Sequence, residues 1–152
     1  MSLYLEFDRI VRRFARAKLR YAIAGGFAMG LHGYIRATQD MDFLVHEADM
    51  AKAEAILARL GYRANPDRQE LKRAGLALQR FFKRLPREDD LMVADLLIPC
   101  TARIQRMLER ATPVPYRAIT IPVVTAKDLV RMKRLRGSLA EKADIAFLKK
   151  QR

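Results

Sequence analysis

The residues of this chain best equipped for chemistry lie close together, between Ala24 and Val45. Asp40 and Asp42 sit two apart in Asp-Met-Asp-Phe-Leu-Val-His, a run whose apolar content predicts a strand over 40–46. Side chains alternate along a strand, so the two carboxylates share one face while Met41, Phe43 and Val45 point into the core. Like charges held a few Å apart repel, and both stay ionised most easily with a cation between them. Mg²⁺ suits that position, because it takes hard oxygen ligands and commonly combines carboxylates with substrate phosphates. The other reading is a solvated strand edge; the apolar second face puts the strand well inside a sheet and weighs against it.

Gly25 and Gly26 follow a short apolar run, Tyr21 to Ala24. Adjacent glycines after a strand allow a tight turn and bare amides at a helix start, which is an anion site or simply a structural turn. Asp95 is a third acid of interest. It interrupts Leu91-Met-Val-Ala-Asp-Leu-Leu-Ile-Pro99, an otherwise uncharged strand-like run, and an ionised group there is costly unless it is paired or ligating. If strand 91–98 lies beside strand 40–46, Asp95 joins Asp40 and Asp42 around metal.

Other polar and reactive residues read more plainly. His32 and His46 are fourteen residues apart, with no metal-pair spacing, and are expected as packing or hydrogen-bonding props. Cys100 is expected as a small buried hydrophobe. Phe81 and Phe82, flanked by Arg80, Lys83 and Arg84, offer either a stacking surface for a nucleic acid strand or one core-facing and one surface-facing ring.

The elements that must position these groups follow from periodicity. Leu3, Phe7, Ile10, Val11 and Phe14 predict an amphipathic helix over 3–18 with arginines on the remaining face. Strand 21–24 leads through the glycine turn into a helix from Phe27 to Leu31, and a further helix covers 48–60, capped by Gly61. Strands are expected over 76–84, 91–98 and 117–124, the first two as a hairpin about Pro86 to Asp90. Helices are expected over 101–111, from Thr125 to about Leu135 and over 139–149; Thr125 and Asp128 make a variant capping box, and Gly137 breaks the chain between the last two. With no repeat, low-complexity tract or linker, residues 1–152 read as a single α+β domain, a mixed β-sheet flanked by α-helices with helical N- and C-terminal segments.

Composition sets the frame for function. Thirty Lys and Arg against seventeen Asp and Glu leave a net charge of +13, while 51% of residues are hydrophobic, which excludes a disordered basic tail. A folded basic domain meets polyanions: nucleic acid, nucleotide phosphates or an anionic membrane surface. One cysteine permits neither an internal disulfide nor a Cys-rich zinc site. The first residues carry acids where a targeting peptide would carry bases, and the apolar stretch from Tyr21 to Ile35 is interrupted by four glycines and a histidine, so a cytoplasmic protein without a transmembrane helix is expected. Ser2 and Ser138 are the only serines and neither lies in a Gly-x-Ser-x-Gly setting, which argues against a serine hydrolase.

Gly25-Gly26, thirteen intervening residues, Asp40-x-Asp42 and a later isolated acid, Asp95, resemble the signature of the DNA polymerase β-like nucleotidyltransferase superfamily. More narrowly, the stretch from Gly25 through Ala28, Gly33, Arg36 and Thr38 to Asp42 is similar to minimal prokaryotic nucleotidyltransferases, among them toxin components of the AbiE type. Leu129-Val-Arg-Met-Lys133 and Ala143-Asp144-Ile145 are also similar to that group, although Ser138 to Asp144 departs from its usual pattern. The resemblance implies a nucleotidyltransferase fold and transfer of a nucleoside monophosphate from an NTP to an acceptor hydroxyl. It implies that Asp40, Asp42 and Asp95 are catalytic and hold Mg²⁺ or Mn²⁺, and that Gly25 and Gly26 cradle the β and γ phosphates. Arg36 would contact phosphate or brace its loop, and Thr38 would hydrogen-bond the turn into the strand. Lys133 would contact the triphosphate or lie on a solvated helix face.

The expected acceptor is anionic, RNA or a tRNA 3′ end, or else a protein side chain, since phosphate contacts by Lys and Arg supply most non-specific nucleic-acid affinity. A cationic small acceptor fits a +13 surface poorly. An antitoxin partner goes with the toxin-like resemblance. The competing expectation is a non-catalytic nucleic-acid- or partner-binding module that keeps the fold.

Overall fold

The computed structural model describes residues 2–35, 37–86, 90–135 and 139–150. The chain opens with α1 (Leu3–Arg16), β1 (Tyr21–Ala24), α2 (Gly25–Leu31) and β2 (Asp40–Val45). A 3₁₀ turn at Glu47–Asp49 leads into α3 (Met50–Arg59), followed by short strands β3 (Arg63–Ala64) and β4 (Gln69–Leu71). Then come β5 (Leu76–Arg84), β6 (Leu91–Pro99), α4 (Ala102–Glu109), β7 (Thr112–Tyr116), β8 (Ile119–Val123), α5 (Ala126–Arg134) and α6 (Leu139–Lys150).

One mixed sheet organises them in the order β3-β5-β6-β2-β1-β8-β7, with β4 beside β5. β1 and β2 are antiparallel, as are β5 and β6, whereas β2 runs parallel to β6 and β1 parallel to β8. The expected α+β architecture, a mixed sheet flanked by helices, is therefore the one observed. The hairpin of β5 and β6 forms with Arg84 opposite Leu91, as the turn signals require. Its tip at residues 87–89, like the break expected at Gly137, lies outside the described residues.

The two faces of β2 separate core from chemistry. Met41, Phe43 and Val45 are fully buried, and α1 lies over their face: Phe7 and Phe14 bring their rings to 6.0 and 5.3 Å from Phe43. Phe7 also stacks on Phe27 of α2 at 4.1 Å, so the opening helix and the helix after the glycines share one aromatic cluster. Each such buried ring contributes roughly 1.5–3 kcal/mol by leaving water. A buried acid pins α1 further: Glu6 accepts from the Tyr62 hydroxyl at 2.7 Å and from Lys83 Nζ at 3.1 Å, tying the helix to β5. The opposite face of β2 carries Asp40 and Asp42.

Several elements differ from expectation. α2 starts at Gly25, not Phe27, so the glycines form its first turn. β7 is an additional strand; Thr-Pro-Val-Pro-Tyr carries two prolines, which only an edge strand accepts, and β7 pairs with β8 alone. β3 and β4 are short and polar, with no periodicity to announce them. Cys100 is exposed, not buried: its amide donates to the Gly75 carbonyl at 2.9 Å just beyond β6, which holds the backbone against the sheet and leaves the side chain outside. The caps at Thr125 and Gly61 form as expected, Thr125 accepting from the Asp128 amide and Gly61 taking φ +94° at the end of α3.

Candidate active site

The parallel register of β2 and β6 sets Asp42 directly beside Asp95, and Asp40 beside Val93. Paired residues in a sheet share a face, so all three carboxylates stand on the side away from α1. The row extends in both directions, with Ala24 opposite Asp42 on β1 and Arg80 opposite Asp95 on β5. Asp95 is 1% exposed and Asp42 9%, so two acids are held in the sheet where ionisation needs a partner.

Arg80 supplies one. Its Nε and Nη2 each donate to a different oxygen of Asp95 at 2.8 Å, and Nη2 also reaches Asp40 Oδ2 at 3.5 Å. One nitrogen touching both acids puts Asp40 and Asp95 in the same small volume. The hydrogen bonds to Asp95, and then the charges of Asp95, Asp40 and Asp42, push the Arg80 pKa above its ordinary value against the opposing cost of burial. Sequence reasoning had placed Arg80 only as a flank of the phenylalanine pair. The hairpin itself held the signal: with Arg84 opposite Leu91, antiparallel counting brings residue 80 to residue 95.

Gly25 and Gly26 sit under this cluster. Gly25 has φ +60°, and a Cβ there would drive into the Asp42 carboxylate; a Cβ on Gly26 would lie 2.5 Å from Thr38 Oγ1. The pair is thus required first by close approach, since β2 and the segment leading into it pass directly over the start of α2. The amides of that first turn receive no side-chain cap from Ala24, and no acid stands among them. Thr38 donates to the Asp40 carbonyl at 3.1 Å, the strand-entry role expected of it.

Lys133, on α5, is 5% exposed and lines a pocket with Gly25 and Asp42, walled by Leu76, Leu97 and Leu129. That burial overturns the solvated-face reading and brings the amine to the carboxylate side of the sheet. Arg36 lies outside the described residues, as does the Asp144 side chain. His32 and His46 are props: His32 Nε2 meets the Val124 carbonyl at 2.9 Å, and His46 Nδ1 accepts from the Ala48 amide at 3.0 Å. Phe81 is buried on the α1 side, whereas the register places Phe82, half-buried, on the carboxylate face.

The donor set of Asp40, Asp42 and Asp95 is all carboxylate oxygen, which matches Mg²⁺ or Mn²⁺ and not a soft or imidazole-seeking metal. Yet among the described residues no three acids, histidines or cysteines are gathered closely enough to enclose an ion. The residues fit the metal in kind, and the cation now seated among them is Arg80. Among the described residues, no helix is long and apolar enough to cross a membrane.

Residues 1–133 match the family described as uncharacterised nucleotidyltransferases. Solved structures share the fold. The lincosamide antibiotic adenylyltransferase LnuA, bound to lincomycin, is 16% identical, with 97% of this chain and 96% of that one covered at a TM-score of 0.66. A putative nucleotidyltransferase from Thermotoga maritima is 12% identical, with coverage of 98% and 94% and the same TM-score of 0.66. The antibiotic-resistance factor ANT(2″)-Ia, in its solution structure, is 13% identical, with coverage of 93% and 80% at a TM-score of 0.61. No curated protein sequence matches the chain.

Proposed function

The chain belongs to the uncharacterised nucleotidyltransferase family, and from that premise we propose that it moves a nucleoside monophosphate from an NTP to the hydroxyl of an anionic acceptor in the cytoplasm. The observation that carries this reading is the register that sets Asp42 beside Asp95, with Asp40 on the same face and Gly25 packed beneath Asp42.

In this reading Asp40, Asp42 and Asp95 hold the divalent ions, Mg²⁺ or Mn²⁺. Bound there, such ions neutralise triphosphate charge and stabilise the entering and leaving oxygens. The amides of Gly25 and Gly26 receive the β and γ phosphates, and Lys133 contributes a positive charge from the pocket wall. Arg36, four residues ahead of Asp40, is assigned to phosphate contact. The acceptor oxygen attacks the α phosphorus, the bond to the bridging oxygen breaks, and pyrophosphate departs. The hydroxyl proton passes to Asp95, directly or through water, once that carboxylate is free of Arg80. Positioning and charge neutralisation carry the reaction, with no covalent enzyme intermediate.

The acceptor we favour is RNA, such as a tRNA 3′ end, with a protein side chain as the alternative that the toxin-like motif suggests. The charge of +13 supports a polyanion and weighs against a cationic small-molecule acceptor. An antitoxin that covers the site belongs to the same reading. The test is incubation of the purified chain with Mg²⁺ or Mn²⁺, each labelled NTP, and total tRNA, protein extract or lincomycin in separate arms. Label transfer with pyrophosphate release, abolished by Asp42→Ala, is expected. Absence of transfer in every arm overturns the enzymatic reading in favour of a binding module.

A further inference from the structure

The ion pair between Arg80 and Asp95 uses both oxygens of the acid and a third contact to Asp40, and it lies where the proposed metal ligands converge. A guanidinium paired in this way is a rigid planar fork, held charged at any accessible pH. The geometry points to Arg80 as a positioning residue that competes with divalent metal for Asp95 and Asp40, so that loading the site requires the arginine to leave. This inference rests on the metal-binding reading of the three acids.

Three features of the site support it. Asp95 has only 2% of its side chain exposed and both its oxygens are taken by the guanidinium, so an ion that binds it displaces that contact. Arg80, by contrast, has 37% of its side chain exposed, so its guanidinium borders solvent. Among the described residues no three acids stand in an arrangement that could hold an ion, and the guanidinium lies in contact with both Asp95 and Asp40. The arginine holds both oxygens of Asp95 in a fixed orientation before metal arrives, and it sets a threshold that metal, arriving with the triphosphate charge, must exceed. Lys133, which lines the pocket with Gly25 and Asp42, remains in place in this scheme.

Mn²⁺ binding to the full chain, without nucleotide, tests the inference by calorimetry and by the magnetic resonance signal of free Mn²⁺. Removing one unit charge at this range should tighten binding by about tenfold or more in Arg80→Gln. Arg80→Lys keeps the charge but loses the fork, and a gain of a few-fold is expected. Unfolding temperatures give a second readout: Mn²⁺ should raise that of Arg80→Gln by more than that of the wild type. Where Arg80→Gln fails to fold without metal, the Arg80→Lys comparison decides. Equal or weaker Mn²⁺ affinity in the folded variants overturns the competition. Nucleotidyl transfer is scored separately. Transfer by the wild type with no gain in metal affinity overturns the competition alone. A gain in affinity with no transfer to any acceptor overturns the enzymatic reading and leaves the competition standing.

Discussion

Arg80 and Asp95 stand directly opposite each other on β5 and β6, and Nε and Nη2 of the arginine each lie 2.8 Å from a different oxygen of the acid. Stripping the arginine leaves a carboxylate with 2% of its side chain exposed and no cation in that contact. A fully buried pair broken in this way costs about 3–5 kcal/mol. Because the guanidinium is 37% exposed, Arg80→Met should cost the metal-free protein about 2–3 kcal/mol in urea unfolding. Adding Asp95→Asn should return most of that loss. Equal losses in single and double variants would show that the pair is not what stabilises β5 against β6.

Gly25→Ala and Gly30→Ala separate the two uses of glycine in α2. At Gly25 the backbone has φ +60° and the new methyl meets the Asp42 carboxylate, so the substitution should destabilise by about 1–3 kcal/mol and move the acid. At Gly30 nothing lies within 4 Å of the new methyl, and a helix gains about 0.5–1 kcal/mol from alanine. Thermal unfolding of both variants reads the contrast directly, and a stable Gly25→Ala protein would contradict the close approach.

Lys133→Met keeps the aliphatic stem that fills the pocket beside Leu129 and removes the charge. Nucleotide binding, measured by calorimetry with a non-hydrolysable triphosphate, should weaken about tenfold, the scale of one charge-assisted contact of 1.5 kcal/mol. The fold should persist by circular dichroism. Unchanged affinity would assign Lys133 to support of Asp42 instead of to the ligand.

Asp128 is fully buried and sits between Arg110, at 2.7 Å, and Arg131, at 3.0 Å. Burial raises its pKa, but hydrogen bonds from Arg110, Arg131 and Thr125 and the Arg110 charge outweigh it and hold the carboxyl below the ordinary aspartate range. A depressed carboxyl pKa stabilises the fold above its unfolded value and loses that contribution as pH falls through the folded one. Chemical denaturation of the wild type should therefore show a loss of stability below about pH 4. Asp128→Asn should be less stable at pH 7 and show a shallower acid limb; parallel acid limbs would assign the acid sensitivity to other carboxylates.

Much of the site was legible before any tertiary information. The alternation of apolar and acidic residues in 40–46 put Asp40 and Asp42 on one face, and β2 forms over Asp40–Val45. The lone acid in 91–98 demanded a partner, and one is present. What sequence could not supply was the partner's name. Metal and arginine satisfy the same physical requirement; the hairpin register brings residue 80 opposite residue 95, but the ion pair itself is seen only in the folded side chains. Lys133 was ambiguous for a similar reason, because a lysine near a helix end is solvated or buried according to what packs above it. Cys100 went the other way: a small apolar side chain is most often buried, but here the turn after Pro99 faces it outward.

The amino-acid sequence by itself determined the local facts: where period-two and helical patterns run, where Thr125 and Gly61 end helices, and that three acids occupy apolar strands. Each depends on residues a few positions apart, whose geometry the backbone dictates. The parallel register that sets residue 42 beside residue 95, the contact of Arg80 with Asp40 and the burial of Lys133 were decided by tertiary structure alone. A parallel pairing has no turn to set its register, so it is chosen by how the apolar faces of β2 and β6 pack into the core.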